Sequence, residues 1–221
     1  MTNVNARPFM IIIAALSVLS FLVITYFTGN TISDFGKALK TIPTVATIDG
    51  IAYFIFIKYV WKWKCLQSWL VPFPDLNGTW QGHLTTSRHE GSDSHSVTIP
   101  VILCIRQDFS KISCVMRSKE MTSHSYAEGF WLDTENQIMR LCYTYTSRPL
   151  STLRERSTPH DGTARLEIIL SSKKLIGEYW TQRKSIGLID LDYREKRRLD
   201  TLPNDLSIQE KEISCLVDNE A

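Results

Sequence analysis

Residues 8–27 carry no charged side chain, and only Ser17, Ser20 and Thr25 interrupt an otherwise apolar run. Twenty residues at about 1.5 Å rise each reach roughly 30 Å, the depth of a bilayer's hydrocarbon core. The run exceeds the apolar core of about 7–15 residues typical of a secretory signal, and no A-x-A-like cleavage site follows it. The segment therefore reads as a transmembrane helix, and the rest of the chain must fold as something tethered to a membrane.

A polar link over residues 28–41 leads to a second apolar run, 42–60, with Asp49 beside Gly50 near its middle and Lys58 near its end. Trp61, Lys62, Trp63, Lys64 and Trp69 follow, an alternation suited to the membrane–water interface. Arg7, Lys58, Lys62 and Lys64 flank the outer ends of this two-span hairpin, whereas Lys37 and Lys40 in the link are offset by Asp34. The positive-inside bias predicts both termini, and everything after the hairpin, in the cytoplasm. A carboxylate near the bilayer centre costs several kcal/mol, so Asp49 is expected to be neutralised, paired, or turned toward a protein or water-filled interior. It is the candidate functional residue of the spans, facing another protomer or a pore.

Beyond Pro72 and Pro74 the long apolar runs give way to short segments rich in Val, Ile, Thr, Tyr and Trp. Eight strands are predicted, at 79–86, 97–107, 111–118, 126–132, 138–146, 163–170, 174–182 and 185–194. Turn-forming residues at 91–93, 133–136 and 161–162 separate them. Eight short strands with short links predict a compact eight-stranded antiparallel up-and-down barrel, because closure removes exposed sheet edges. Such a barrel is filled by side chains or holds one small ligand. The expected domains are the hairpin with its Trp/Lys segment (1–71), a cytoplasmic ligand-binding β-barrel (72–198) and an acidic tail (199–221).

The whole chain has 25 Lys/Arg and 23 Asp/Glu, but residues 199–221 hold six of the acids against Lys211 alone. The remainder, 24 against 17, is net +7, a balance suited to an anionic ligand or the inner membrane surface. Five cysteines, Cys65, Cys104, Cys114, Cys142 and Cys215, form no CxxC pair and no metal-like spacing with histidine, so reduced and mostly buried thiols are expected. Ser207 with Glu210 forms a capping-box pattern in the tail.

No P-loop, GxGxxG, HExxH or GxSxG is present, and His83, His89, His95, His124 and His160 are scattered. The chain is expected to be no enzyme and to need no metal or cofactor. Two stretches carry the strongest local signals. In 75–82, Gly78, Trp80 and Gly82 share one face of the first strand by the period of two. In 177–183, Tyr179, Thr181 and Arg183 share a face, placing a ring, a hydroxyl and a guanidinium in line to stack a base, hydrogen-bond it and hold a phosphate. Arg106, at the end of an apolar strand, and Tyr126 and Tyr143, in mid-barrel strands, complete the candidate ligand-binding set.

Gly-x-Trp at the start of a first barrel strand resembles the lipocalins and related calycins. The whole pattern of two spans, the 75–82 motif, eight strands and Tyr179-x-Thr181-x-Arg183 with Gly187 resembles the two-transmembrane β-barrel effectors of cyclic-oligonucleotide-based antiphage signalling systems (CBASS). That resemblance implies a bacterial inner-membrane protein whose barrel binds a cyclic dinucleotide made by a partner nucleotidyltransferase. It also implies oligomerisation on binding, disruption of the lipid bilayer and cell death, with no DNA or RNA polymer as partner. The competing expectation is a membrane-anchored, lipocalin-like carrier of an apolar ligand.

Overall fold

The structure, a computed structural model, describes residues 7–28, 35–67, 70–90, 93–133, 135–149, 158–203 and 205. The chain divides into two compact units, one over residues 4–74 with 108–110, the other over 75–107 and from 111 onward.

The first unit holds α1 (Arg7–Thr28) and α2 (Phe35–Lys58), followed by a 3-10 turn at Val60–Lys62. Both helices contain windows long and apolar enough to cross a membrane, Met10–Phe27 and Leu39–Lys58, with mean hydropathies of 2.5 and 1.3. Their apolar side chains are exposed on several sides, among them Met10, Val18, Leu22, Ile42 and Phe54, a pattern that suits lipid rather than water. The polar side chains on α1 are satisfied at home: Ser17 donates to the Ile13 carbonyl at 3.0 Å and Thr25 to that of Phe21 at 2.8 Å. Ser20 Oγ donates to Asp49 Oδ1 at 3.4 Å, joining the two helices.

Two expectations are corrected in this unit. α2 begins at Phe35, seven residues before the apolar run, and takes in Pro43. Apolar counting stops at Lys40 and Lys37, but the helical backbone does not. Trp61 is fully buried against Phe73, ring centroids 5.9 Å apart, so it is a core residue of this unit rather than an exposed interfacial anchor. Phe73 in turn meets Phe109, which packs edge-on to Phe56.

The second unit is a closed barrel of eight antiparallel strands in sequential order. They are β1 (Gly78–Glu90), β2 (Asp93–Gln107), β3 (Ile112–Arg117), β4 (Met121–Asp133), β5 (Ile138–Pro149), β6 (His160–Ile169), β7 (Lys174–Thr181) and β8 (Ile186–Glu195). β1 pairs with β8 as well as with β2, which closes the wall. β1 and β2 stay paired as far as Glu90↔Asp93, beyond the expected strand bounds. Asp161 and Gly162, expected in a turn, lie inside β6.

Alternate residues of each strand fill the interior: Leu103 and Ile105 from β2, Leu141 from β5, Leu166 from β6, Leu175 from β7 and Leu191 from β8 are all fully buried. Trp80 plugs the end of the barrel where β1 begins. Its Nε1 donates to the Leu76 carbonyl at 2.9 Å, and its ring meets Tyr193 edge-on at 5.2 Å. The rest of the 75–82 motif is structural too. Asn77 exchanges hydrogen bonds with the Gln107 backbone in both directions, each at 2.8 Å, so a side chain extends the β1–β2 ladder. The Gly78 φ of 133° is open only to glycine without strain.

After β8 the chain crosses the outer face of β1 and β2. Thr79 Oγ1 donates to the Arg197 carbonyl and accepts from the Leu199 N–H at 3.1 Å, while Leu199 and Leu202 cover Ile102 and Cys104. The start of the expected acidic tail thus packs against the barrel; Ser207, Glu210 and Cys215 lie outside the described residues. Cys104 and Cys114 are buried, Cys142 is half-buried and Cys65 is exposed, all as free thiols.

Candidate ligand-binding site

The opposite end of the barrel is hollow. A cavity of about 150 Å³ is lined by an apolar floor that includes Leu84, Val101 and Met116 and by a polar wall of Tyr145, Ser147, His160, Tyr179, Thr181 and Arg183. Its volume is below the roughly 300–1,000 Å³ of pockets that engulf a drug-sized ligand, so a larger ligand would sit partly within it and partly at its mouth.

Two tyrosines form the side of this cavity, and each faces a glycine on the neighbouring strand. A Cβ on Gly187 would lie 2.6 Å from the Tyr179 ring, and one on Gly162 would lie 2.6 Å from Cζ of Tyr145. Only a missing side chain lets each ring lie flat against the wall. Thr86 hydrogen-bonds the Tyr179 hydroxyl. Burial pushes both phenols up, against a smaller downward pull from the Arg183 guanidinium, so both are neutral hydroxyls near pH 7.

Arg183 sits in the turn between β7 and β8. The turn is held by hydrogen bonds from Thr181 N to Ser185 O, from Lys184 N to Thr181 O and from Gln182 N to Asp161 O, each 3.0 Å. Lys184 takes the left-handed conformation the turn demands, with φ 59°. The Thr181 hydroxyl accepts from the Ser185 N–H at 3.3 Å, so it serves the turn as well as the cavity. On the facing wall Ser123 donates to Ser147 at 2.9 Å. His160, 9% exposed, opens β6 with its Nδ1 3.1 Å from the Thr158 carbonyl. Burial, the largest influence, lowers its pKa and Arg183 lowers it further, against upward pulls from the Thr158 carbonyl and Asp161.

Of the residues singled out in the sequence, the cavity brings together Tyr179, Thr181 and Arg183. Trp80 is at the other end. Arg106 is exposed on the outer face of β2, and Tyr126 is exposed beside the bulge that shifts the β4–β5 register. Tyr143 lies inside the barrel, centroid to centroid 5.9 Å from Tyr145, but outside the cavity wall, with its hydroxyl buried and unpartnered. Asp49 belongs to the helical unit, where it lines an apolar cavity of about 270 Å³ with Ile13, Leu16 and Tyr53. Tyr145, Ser147 and His160 escaped the sequence reading, because period-two alternation separates inside from outside but not one end of a barrel from the other. The signal that finds Tyr145 is its pairing with Gly162, which parallels Tyr179 with Gly187 and becomes visible once strand register is known. Among the described residues no three His, Cys, Asp or Glu side chains come together to hold a metal ion.

A closed barrel, plugged at one end and hollow at the other, with aromatic, hydroxyl and guanidinium groups converging on the hollow, defines a small-molecule receptor barrel. Residues 71–193 match the family described as Cap15, cyclic dinucleotide receptor domain, and the chain belongs to that family. It is the family that the sequence resembles, the two-transmembrane β-barrel CBASS effectors, a receptor family rather than an enzyme family. The CD-NTase-associated protein 15 of Escherichia albertii is 26% identical over 188 residues, which cover 80% of this chain and 89% of that protein.

Proposed function

We propose that this protein is a bacterial inner-membrane effector of antiphage defence whose barrel binds a cyclic dinucleotide in the hollow end. Ligand binding drives self-association, and the assembled helices disrupt the bilayer and kill the cell. The observation that carries the proposal is the convergence of Arg183 with Tyr145, Tyr179 and His160 at one cavity. A cyclic dinucleotide has two negative charges and two flat bases. A guanidinium takes a phosphate, and neutral phenol rings take a base face. A carrier of apolar ligands has no use for a guanidinium beside a wall of hydroxyls.

Within this proposal the chain is multi-pass, with α1 and α2 spanning the membrane and both termini and the barrel in the cytoplasm. The signal comes from a partner nucleotidyltransferase. Asp49 is the polar residue through which neighbouring hairpins associate. The ligand drives assembly only to the extent that it binds the assembled state better than the monomer.

The test uses the full chain in detergent with a panel of cyclic dinucleotides, followed by calorimetry and thermal denaturation. At about 100 times its dissociation constant, a true ligand adds about 2.7 kcal/mol of stability. If no member of the panel stabilises the protein, the receptor proposal fails. Arg183→Ala removes a charge-assisted hydrogen bond of about 1.5–3 kcal/mol, weakening binding roughly 10- to 150-fold while leaving the barrel folded. Ligand-dependent leakage of dye from vesicles carrying the protein tests the output.

A further inference from the structure

The geometry points to His160 as the residue that reads the ligand, its Nε2 accepting a hydrogen bond from an N–H on the edge of a bound base. This rests on the receptor proposal above. The Thr158 carbonyl 3.1 Å from Nδ1 can only accept, so Nδ1 carries the proton. In a neutral ring that leaves Nε2 as a bare lone pair, and among the described residues the ring's hydrogen bond is made through Nδ1. His160 is one of the cavity's lining residues, and no carboxylate joins it there to hold the ring as an imidazolium.

Among the charged and titratable groups around the ring, Arg183 adds to burial in favouring the neutral form, while the Thr158 carbonyl and Asp161 pull the other way without reversing the net downward shift. Arg183 comes from the β7–β8 turn, Tyr145 from β5 and Tyr179 from β7; Asp161, next along β6, is engaged by Thr146 at 2.7 Å. The cavity residues from β1, β2, β3 and β4 bring no charge. Arg183 already supplies the cation for a phosphate, and its field together with burial favours the neutral ring. A phosphate offers only acceptors and would be repelled by the Nε2 lone pair, whereas every nucleobase carries an N–H on its Watson–Crick edge. The ligand is therefore oriented with phosphate toward Arg183 and base edge toward His160.

The two possible roles of His160 have opposite pH dependence. A neutral acceptor loses the ligand on acidification; an imidazolium holding phosphate gains it. The full chain in detergent is titrated with the tightest-binding cyclic dinucleotide between about pH 5.5 and 8. The expected dissociation constant is flat at the alkaline end and rises about tenfold per pH unit once the ring protonates. His160→Gln, whose amide oxygen is an acceptor at every pH, keeps affinity within a few-fold and flattens the profile. Affinity that rises or stays constant on acidification, or a His160→Gln profile that keeps the wild-type slope, overturns the assignment and leaves the receptor proposal standing. If no cyclic dinucleotide binds the wild-type protein at any pH, both fall together.

Discussion

Adding a single methyl group at Gly187 tests whether the cavity wall depends on glycine–tyrosine packing. Its Cβ would lie 2.1 Å from the Thr85 carbonyl oxygen and 2.6 Å from the Tyr179 ring. Comfortable carbon contacts need about 3.5 Å, so something must move by roughly 1 Å. The nearer obstacle is backbone on the paired strand β1, which gives way only by parting the seam that closes the barrel. Overpacking of this kind costs about 1–3 kcal/mol, and the lower chain entropy of alanine in the unfolded state returns about 0.4–1 kcal/mol. A net loss of about 1–2 kcal/mol lowers Tm by roughly 2–8 °C in a chain of this size. Gly162→Ala is the control. Its nearest neighbours are Cζ and the hydroxyl of Tyr145, both at 2.6 Å, side-chain atoms that can swing into the hollow. It should cost less stability than Gly187→Ala while still weakening ligand binding. Thermal denaturation followed by tryptophan emission measures both. If Gly187→Ala melts at or above the wild-type temperature, or Gly162→Ala is the more damaging, the packing account is wrong.

Thr79→Val removes both hydrogen bonds that hold the segment after β8, a loss of about 1–3 kcal/mol, and should make Cys104 open to alkylation, read by mass spectrometry. Asp49→Leu should insert at least as well as wild type, since it removes a charge costing about 2.5–3.5 kcal/mol at a span's centre, yet abolish ligand-triggered dye leakage; unchanged leakage would exclude Asp49 from the assembly. Acidification should destabilise the barrel through His160. The unfolded ring binds its proton near 6.5 and the folded ring at lower pH, so below about pH 6.5 the unfolded state holds more protons and stability falls until the folded ring also titrates. His160→Gln should remove that slope from urea melts recorded across the same range.

Much of the architecture was legible in the residues. Two apolar runs and eight β-rich segments each announce themselves locally, because a helix needs a continuous apolar stretch and a strand needs only alternation. Trp61 misled because its neighbours Lys62 and Trp63 resemble a membrane border, whereas a pocket formed by the distant Phe73 takes the ring in. Trp80 and Tyr179 look equally well suited to a ligand, since both are aromatic, inward-facing and flanked by glycine. They lie at opposite ends of the barrel, Trp80 at the start of β1 and Tyr179 near the end of β7.

The run at residues 8–27 determines without further help that the chain carries a helix fit to cross a membrane, because hydropathy over twenty residues is a local sum. The strand pattern likewise determines an all-β unit after it. Which inward residues make a core and which make a site is not a local property. It depends on register around a closed wall, which sets Tyr145 against Gly162, Tyr179 against Gly187, and His160 beside Arg183. Those neighbours come from strands and turns far apart in the chain, so only the tertiary structure could choose them.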